Sequence, residues 1–366
     1  MSQKFPGRLA VQQRVLPHYR APLFDLLAES CMQGMSLFTG QPRPIESIKT
    51  AESLQVAQLI HAKNRHILSG ALYFCYQENI TDWLKRCDPD ALILEANPRY
   101  LATPAAIKWM RKRGRPIIGW GLGAPIRSGI LAGLRQKNWM RFLNKFDALI
   151  AYSQRGADNY AALGIPHDKI FVAHNAVAPR PDELTPRPAP TYPATAIFVG
   201  RIQARKRIDH LLQACASLPE DLQPNLLIVG DGPERERLES LGQDVYPQAK
   251  FLGAKHGAEL ISLWRRADLF VLPGTGGLAV QEAMAHGLPV IVAKGDGTQD
   301  DLVRNSNGWQ IPPDDLGTLK ETLELALSDL PRLREMGVES HRIVREEVNL
   351  EKMVEIFVDA LNQTIS

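Results

Sequence analysis

Ala267-Asp268-Leu269-Phe270-Val271-Leu272-Pro273-Gly274-Thr275-Gly276-Gly277-Leu278-Ala279-Val280-Gln281-Glu282-Ala283-Met284-Ala285-His286-Gly287-Leu288-Pro289-Val290-Ile291-Val292-Ala293 holds a complete structural unit. The apolar run Leu269–Leu272 predicts a buried strand, and a glycine loop follows it. Val280–His286 then reads as a helix that is apolar on most sides, and Gly287 closes it before a second strand, Val290–Ala293. A strand, a helix and a second buried strand joined by short loops make a parallel crossover unit.

The same alternation extends outward in both directions. Upstream in this half, strands are expected at Thr195–Val199, Asn225–Val229 and Ala249–Leu252, with helices at Ile208–Ala216, Glu234–Gly242 and Gly257–Ala267. The first half repeats the pattern with strands at Leu9–Val11, Met35–Thr39, Ala91–Glu95, Ile117–Gly119, Ala148–Ala151 and Ile170–Ala173. Its helices include Pro22–Glu29, Thr103–Arg113 and Ser153–Ala162. Between the halves, residues 179–193 hold six prolines in fifteen positions, which excludes a helix or a central strand and suits a stiff connector. With 366 residues, the chain divides into an N-terminal domain (1–178), a linker (179–193), a C-terminal domain (194–345) and a terminal helical segment (346–366). The last segment has its apolar residues spaced to pack on a neighbour, expected on the N-terminal side. The fold class is α/β, two doubly wound parallel sheets facing across a cleft where ligands bind at the strands' carboxyl ends.

Composition is that of an ordinary globular chain, 45% hydrophobic and 23% charged, which excludes disordered, collagenous and coiled-coil classes. No apolar run reaches the roughly 18–20 residues of a membrane span, and the opening residues lack a signal peptide's apolar core, so a cytoplasmic location is expected. Cys31, Cys75, Cys87 and Cys215 are scattered and read as reduced, mostly buried thiols. Net charge is only +3, yet residues 1–178 carry 23 Lys and Arg against 12 Asp and Glu. From Ala96 to Phe146 there is no acidic residue among eleven basic ones. Nucleic acid, an anionic membrane surface and a phosphate-bearing substrate all fit such asymmetry, and so does a merely solvated basic face. The acidic second half and the lack of a recognisable module argue against nucleic acid. Residues 127–143 mix bases, Trp139 and bulky apolar residues, as a helix lying on an anionic membrane does, or equally a core helix with snorkelling bases.

Several strand ends converge on one chemistry. After Thr195–Val199 come Gly200, Arg201 and Lys206, two cations at a carboxyl end suited to the charge of a departing diphosphate. Gly230 and Gly232 follow the next strand and allow close backbone approach, as any strand-to-helix turn also does. Gly274, Thr275, Gly276, Gly277 and Leu278 run into the helix, where free amides would form an anion or sugar-hydroxyl site. Glu282, in that helix's opening turns, needs a partner if buried and could grip paired ribose hydroxyls. On the first half, His18 and Arg20 in the first loop and Glu95 at a strand end are candidates for the acceptor side, although a loop histidine is also commonly structural or exposed. Asp88-Pro89-Asp90 resembles a metal-binding DxD, but it precedes its strand and so lies at the wrong end of the sheet. No His/Cys ligand cluster, no GxSxG elbow and no Walker A motif occurs.

The ordered set GR-x4-K (Gly200 to Lys206), GxGP (Gly230 to Pro233), FLG (Phe251 to Gly253), AD-x-FVLP (Ala267 to Pro273) and EAMAxGxPVI (Glu282 to Ile291) resembles the donor half of the family 4 retaining glycosyltransferases, of the GT-B fold with two Rossmann-like domains. The likeness is clear over about 145–312 and includes Ala151-Tyr152-Ser153 and His174-Asn175-Ala176-Val177. It implies a nucleotide-diphosphate sugar of UDP or GDP type as co-substrate, no cofactor and no metal, with Arg and Lys neutralising charge in place of Mg²⁺. It places Arg201 and Lys206 on the diphosphate, Glu282 on the ribose, and the amides of Gly276, Gly277 and Leu278 near the sugar and β-phosphate. The acceptor, a glycan or a lipid-linked molecule, would lie on the N-terminal domain at an inner membrane face. Two departures stand out. Gly274 occupies the place of a glutamate, as in a branch of the family, and Gly119-Trp120-Gly121-Leu122-Gly123 stands where many members have a histidine, which puts Trp120 on the acceptor side. Two further readings fit: a nucleotide-sugar epimerase of the same fold, and a sugar-nucleotide-binding partner without transferase activity.

Overall fold

The computed structural model describes residues 3–46, 48–124, 132–187, 189, 192–295 and 297–365. The chain forms two compact units, Met1–Val177 with Leu350–Ser366, and Ala178–Asn349.

In the first unit the strands are β1 (Leu9–Val15), β2 (Met35–Gly40), β3 (Gln58–His61), β4 (Asn64–Ile67), β5 (Phe74–Gln77), β6 (Ala91–Glu95), β7 (Ile117–Gly121), β8 (Ala148–Ala151) and β9 (Ile170–Val172). The helices are α1 (Ala21–Glu29), α2 (Ile80–Cys87), α3 (Thr103–Arg111), α4 (Ala132–Leu143) and α5 (Gln154–Ala162), with the C-terminal helix Leu350–Ile365 joining them. Seven strands pair in the order β3-β2-β1-β6-β7-β8-β9, all parallel. The chain leaves β1 towards β2 and leaves β6 towards β7, so the order reverses between β1 and β6. Such a reversal opens a crevice at the strands' carboxyl ends. The sheet is clamped by Phe38 stacked on Trp83 at 4.7 Å, with the Trp83 indole donating to Ser36 Oγ at 2.9 Å. Ser153 caps α5 by accepting the Gly156 amide at 3.1 Å.

The second unit has β10 (Thr195–Val199), β11 (Asn225–Val229), β12 (Lys250–Phe251), β13 (Leu269–Leu272), β14 (Val290–Ala293) and β15 (Gly308–Ile311). Its helices are α6 (Ile208–Ala216), α7 (Arg235–Val245), α8 (Gly257–Arg266), α9 (Ala279–Ala285), α10 (Thr298–Leu302), α11 (Leu316–Leu327) and α12 (Leu330–Glu346). The parallel sheet runs β12-β11-β10-β13-β14-β15, reversing between β10 and β13. Asp268, just before β13, is buried, pairs with Arg334 of α12 at 2.6 Å and accepts the Thr195 amide at 2.7 Å.

Two expectations are corrected. The proline-rich segment belongs to the second unit instead of standing apart. Arg187 anchors it by donating to the Trp264, Arg265 and Ala267 carbonyls that end α8 and to His286 O, and His341 Nε2 lies 2.8 Å from Asp182 O. Its burial against those carbonyls pushes the Arg187 guanidinium down to about 10. The second unit therefore ends at Asn349, and only the helix from Leu350 returns to the first. Four strands, β3, β4, β5 and β15, were not expected: they are sheet edges or a separate hairpin, β3 and β4 with only exposed or half-buried residues and β5 and β15 with buried and less buried positions mixed, so none reads as a continuous apolar run.

Candidate active site

The loops after β10 and β13 meet at the reversal point of the second sheet, brought together by glycines. A Cβ on Gly230 would stand 1.9 Å from Gly200 O, and one on Gly232 would stand 2.1 Å from Ile202 O. The loops after β10 and β11 thus lie backbone on backbone, joined by Ile202 N to Asp231 O at 2.8 Å. Gly274 approaches the β10 loop in the same way: its Cβ would stand 2.1 Å from Arg205 O. A side chain at position 274 is sterically excluded in this conformation, which gives the missing glutamate a physical basis.

That close approach makes a cradle. Thr275 N donates to Arg205 O at 3.1 Å, and Arg205 Nη1 donates back to Thr275 O at 3.1 Å. Lys206 is 5% exposed, and its ammonium donates to Thr275 O at 3.0 Å and to Gly276 O. Burial, reinforced by the neighbouring Arg205 charge, pushes it down to about 8. Arg201 is exposed and makes no hydrogen bond or ion pair with a described residue. The cradle therefore holds the buried Lys206 ammonium and the Arg205 guanidinium at a single sheet switch point, with Arg201 open on the same loop.

Helix α9 begins at Ala279 with Leu278 as its N-cap residue. Gly276, at φ +67°, and Gly277 thus form the turn before the helix, which corrects the expectation that their amides belong to the helix start. Glu282 lies in the first turn, half-buried, and accepts from the Trp264 indole at 3.3 Å. Burial pushes its carboxyl up, partly offset by that bond. Trp264 and Arg205 were not singled out from the sequence. A carboxylate on an apolar helix was the signal that a buried donor had to exist, but not which one.

In the first unit a cavity of about 600 Å³ opens at the ends of β6 and β7, near the sheet's reversal point. Arg20, Glu95 and Trp120 all line it, while His18 is exposed and is not among its lining residues. Arg20 is 8% exposed and donates to Ala176 O at 3.2 Å and to Asn175 Oδ1. Its guanidinium lies 5.6 Å from the ring centres of Tyr19, Trp120 and Tyr152. Trp120 stacks on Tyr152 at 4.8 Å and takes the edge of Phe357 at 5.0 Å. Glu95 accepts the Arg14 amide at 2.6 Å, and burial pushes its carboxyl up to about 7. Tyr152, Trp139 and Arg99 share the wall, found only when distant strand ends converge.

Asp88 pairs with Arg115 and Asp90 accepts the Arg8 amide, both at the amino end of β6. Among the described residues no three His, Cys, Asp or Glu side chains gather as a metal set, and the four cysteines are buried and unpaired. Residues 127–131, which begin the basic amphipathic stretch, lie outside the described residues. From α4, Arg135, Lys137 and Arg141 are exposed, while Trp139 and Phe142 pack partly buried against the core. No described helix is long and apolar enough to cross a membrane.

The family described as Glycosyl transferases group 1 matches residues 180–342, and the one described as Glycosyltransferase Family 4 matches 41–180. A GDP-mannose-dependent alpha-mannosyltransferase of Mycobacterium tuberculosis is 32% identical over 206 residues, 54% of this chain and 52% of that protein. The chain spans about half the length, or less, of the curated relatives it matches. Two solved structures share the fold across nearly the whole chain. They are the lipopolysaccharide outer core galactosyltransferase WaaB (TM-score 0.71, 16% identity, 97% of this chain and 99% of that one) and Anabaena HepE in complex with UDP (TM-score 0.69, 16% identity, 97% and 99%). With the two family matches running from 41 to 342 and the paired doubly wound sheets, the chain belongs to the family 4 glycosyltransferases of the GT-B type.

Proposed function

We propose that the chain is a retaining glycosyltransferase that moves a sugar from a nucleotide-diphosphate sugar to a hydroxyl of a glycan or lipid-linked acceptor, in cell-surface polysaccharide or glycolipid synthesis. The observation that carries this reading is the cradle: Lys206 buried beneath the Thr275–Gly276 carbonyls, with Arg201 open on the same loop after β10. On binding, the donor's pyrophosphate takes the place of neutral carbonyls as the counter-group to the ammonium, and Arg201 closes on it. Glu282 holds the ribose hydroxyls. The names of relatives support a nucleotide-sugar donor, one being GDP-mannose-dependent and another bound to UDP.

The acceptor occupies the Arg20–Glu95–Trp120 cavity of the first unit. Its hydroxyl oxygen bonds to the sugar's anomeric carbon as the bond to the β-phosphate oxygen breaks. The hydroxyl proton passes to that leaving phosphate on the same face, so configuration is retained. Arg201 and Lys206 stabilise the charge that builds on the diphosphate, each worth on the order of 3 kcal/mol. The basic face of α4 meets an anionic membrane at the inner leaflet.

Incubation with UDP- and GDP-sugars and candidate acceptors, followed by NMR of the product anomer, tests this reading. An α-donor giving an α-product, slowed about a hundredfold or more by Arg201→Ala at unchanged melting temperature, is the expected result. Transfer that inverts the anomer, or full turnover by the variant, would reject it. Gly274 favours one competitor, a sugar-nucleotide-binding partner, for which donor binding without any transfer would be the sign.

A further inference from the structure

We propose that the first-unit cavity selects an acceptor that carries an anionic group, a phosphate ester or a carboxylate. This rests on the glycosyltransferase reading and adds the chemical class of the acceptor. Arg20 is a buried cation whose described partners are all neutral: Asn175 Oδ1, Ala176 O and, at 3.9 Å, Met353 Sδ. No described carboxylate lies within ion-pair distance of it. Other arginines withdrawn from solvent among the described residues are compensated where Arg20 is not: Arg334 by Asp268 at 2.6 Å, Arg14 by Glu46 at 2.9 Å, Arg187 by the carbonyl end of a helix. An unpaired buried charge is strongly disfavoured, and contact with aromatic faces returns only part of what desolvating it costs.

Glu95, the one carboxyl among the described residues of the cavity wall, does not supply the missing charge. It accepts from the Arg14 amide and makes no ion pair with Arg20. Two further donors stand in the same wall without partners among the described residues: the buried Trp120 indole N–H and the half-buried Arg99 guanidinium. Two guanidiniums and an indole N–H around an aromatic floor of Trp120 and Tyr152 fit a sugar ring bearing a negative group. The absence of any acidic residue from Ala96 to Phe146 leaves that field unopposed from the segment forming much of the wall.

The test uses the full chain saturated with UDP or GDP, so that the second unit's cation site is filled. Calorimetric affinities are compared for glucose 6-phosphate, glucuronate and methyl glucoside. At least one charged sugar is expected to bind tenfold or more tightly than the neutral one, with Arg20→Gln and Arg99→Gln each abolishing the preference and leaving nucleotide affinity unchanged. Tighter binding of glucose 6-phosphate identifies a phosphate-bearing acceptor, and tighter binding of glucuronate an acidic sugar. Equal affinity for all three, or an unchanged preference in Arg99→Gln, overturns the proposal. If Arg20→Gln does not fold, the Arg99 variant decides alone. Failure of the chain to bind any nucleotide would count against the glycosyltransferase reading, while the sugar comparison would still decide this one.

Discussion

The indole of Trp264, wholly buried in α8, donates its hydrogen bond to the carboxyl of Glu282, one helix along, at 3.3 Å. The bond ties Glu282 of α9 to α8 and opposes the burial that pushes its carboxyl up. Because the folded state binds the proton more tightly than the unfolded chain, stability from this group is full in acid and lost as pH rises through the folded value. Glu282→Gln should therefore gain on the wild type as pH rises from 4 to 7, in chemical denaturation, while losing about tenfold or more in nucleotide affinity. A variant that loses affinity and stability together at pH 7 would show that Glu282 is held for packing alone.

Lys206 carries the opposite sign. Burial and the Arg205 charge lower its ammonium to about 8, so the unfolded chain binds more protons between about 8 and the ordinary 10.5. Stability contributed by this site rises over that window. Affinity for a diphosphate moves the other way, falling as the ammonium discharges above about pH 8. Titration calorimetry of UDP or GDP from pH 7 to 9.5 should show that fall in the wild type and a flat, weaker curve in Lys206→Met. A pH-independent wild-type affinity would remove the ammonium from the site.

Much of the second unit was legible because its strands are buried on both faces and read as apolar runs. Thr195–Val199, Leu269–Leu272 and Val290–Ala293 match the strands residue for residue. The edges were not: Gln58–His61 and Asn64–Ile67 are exposed or half-buried and alternate no clear apolar face. The site divides along the same line. Arg201, Lys206 and Glu282 stand in ordered motifs, whereas Trp264 reaches Glu282 from another helix, and Arg20 meets Trp120 and Tyr152 only once three separate strand ends converge. His18 shows the limit of proximity in sequence, since two residues from Arg20 it is exposed and outside the cavity's lining.

Gly274 is fixed by contact with backbone and not by a preference for an unusual torsion. Its Cβ would meet Arg205 O at 2.1 Å and the Lys206 Cα at 2.5 Å, atoms that cannot rotate aside. Gly274→Glu therefore does not add a sugar-binding carboxylate to this loop; it pries the two loops apart and breaks the Lys206 bonds to Thr275 and Gly276. Both Gly274→Ala and Gly274→Glu should lose on the order of 1–3 kcal/mol and most donor affinity. Thermal melts with and without nucleotide check this, and a stable, more active Gly274→Glu enzyme would refute the steric account.

The basic face of α4 has a consequence that salt exposes. Arg135, Lys137 and Arg141, with Lys145 just beyond, are exposed, while Trp139 and Phe142 turn partly into the core, so the charges rather than the aromatic rings face outward. The membrane contact proposed for this face is then electrostatic, about 1 kcal/mol per base near an anionic surface. Four bases together amount to about a thousandfold in partitioning, screened over a Debye length of about 8 Å at physiological salt. Vesicles rich in phosphatidylglycerol should sediment the wild type at low salt, release it at 0.5 M NaCl, and fail to hold the variant with all four bases changed to glutamine. Neutral phosphatidylcholine vesicles should bind neither. Retention of the variant would mean that another surface meets the lipid, and indifference of the wild type to lipid charge would return this helix to the role of a solvated face.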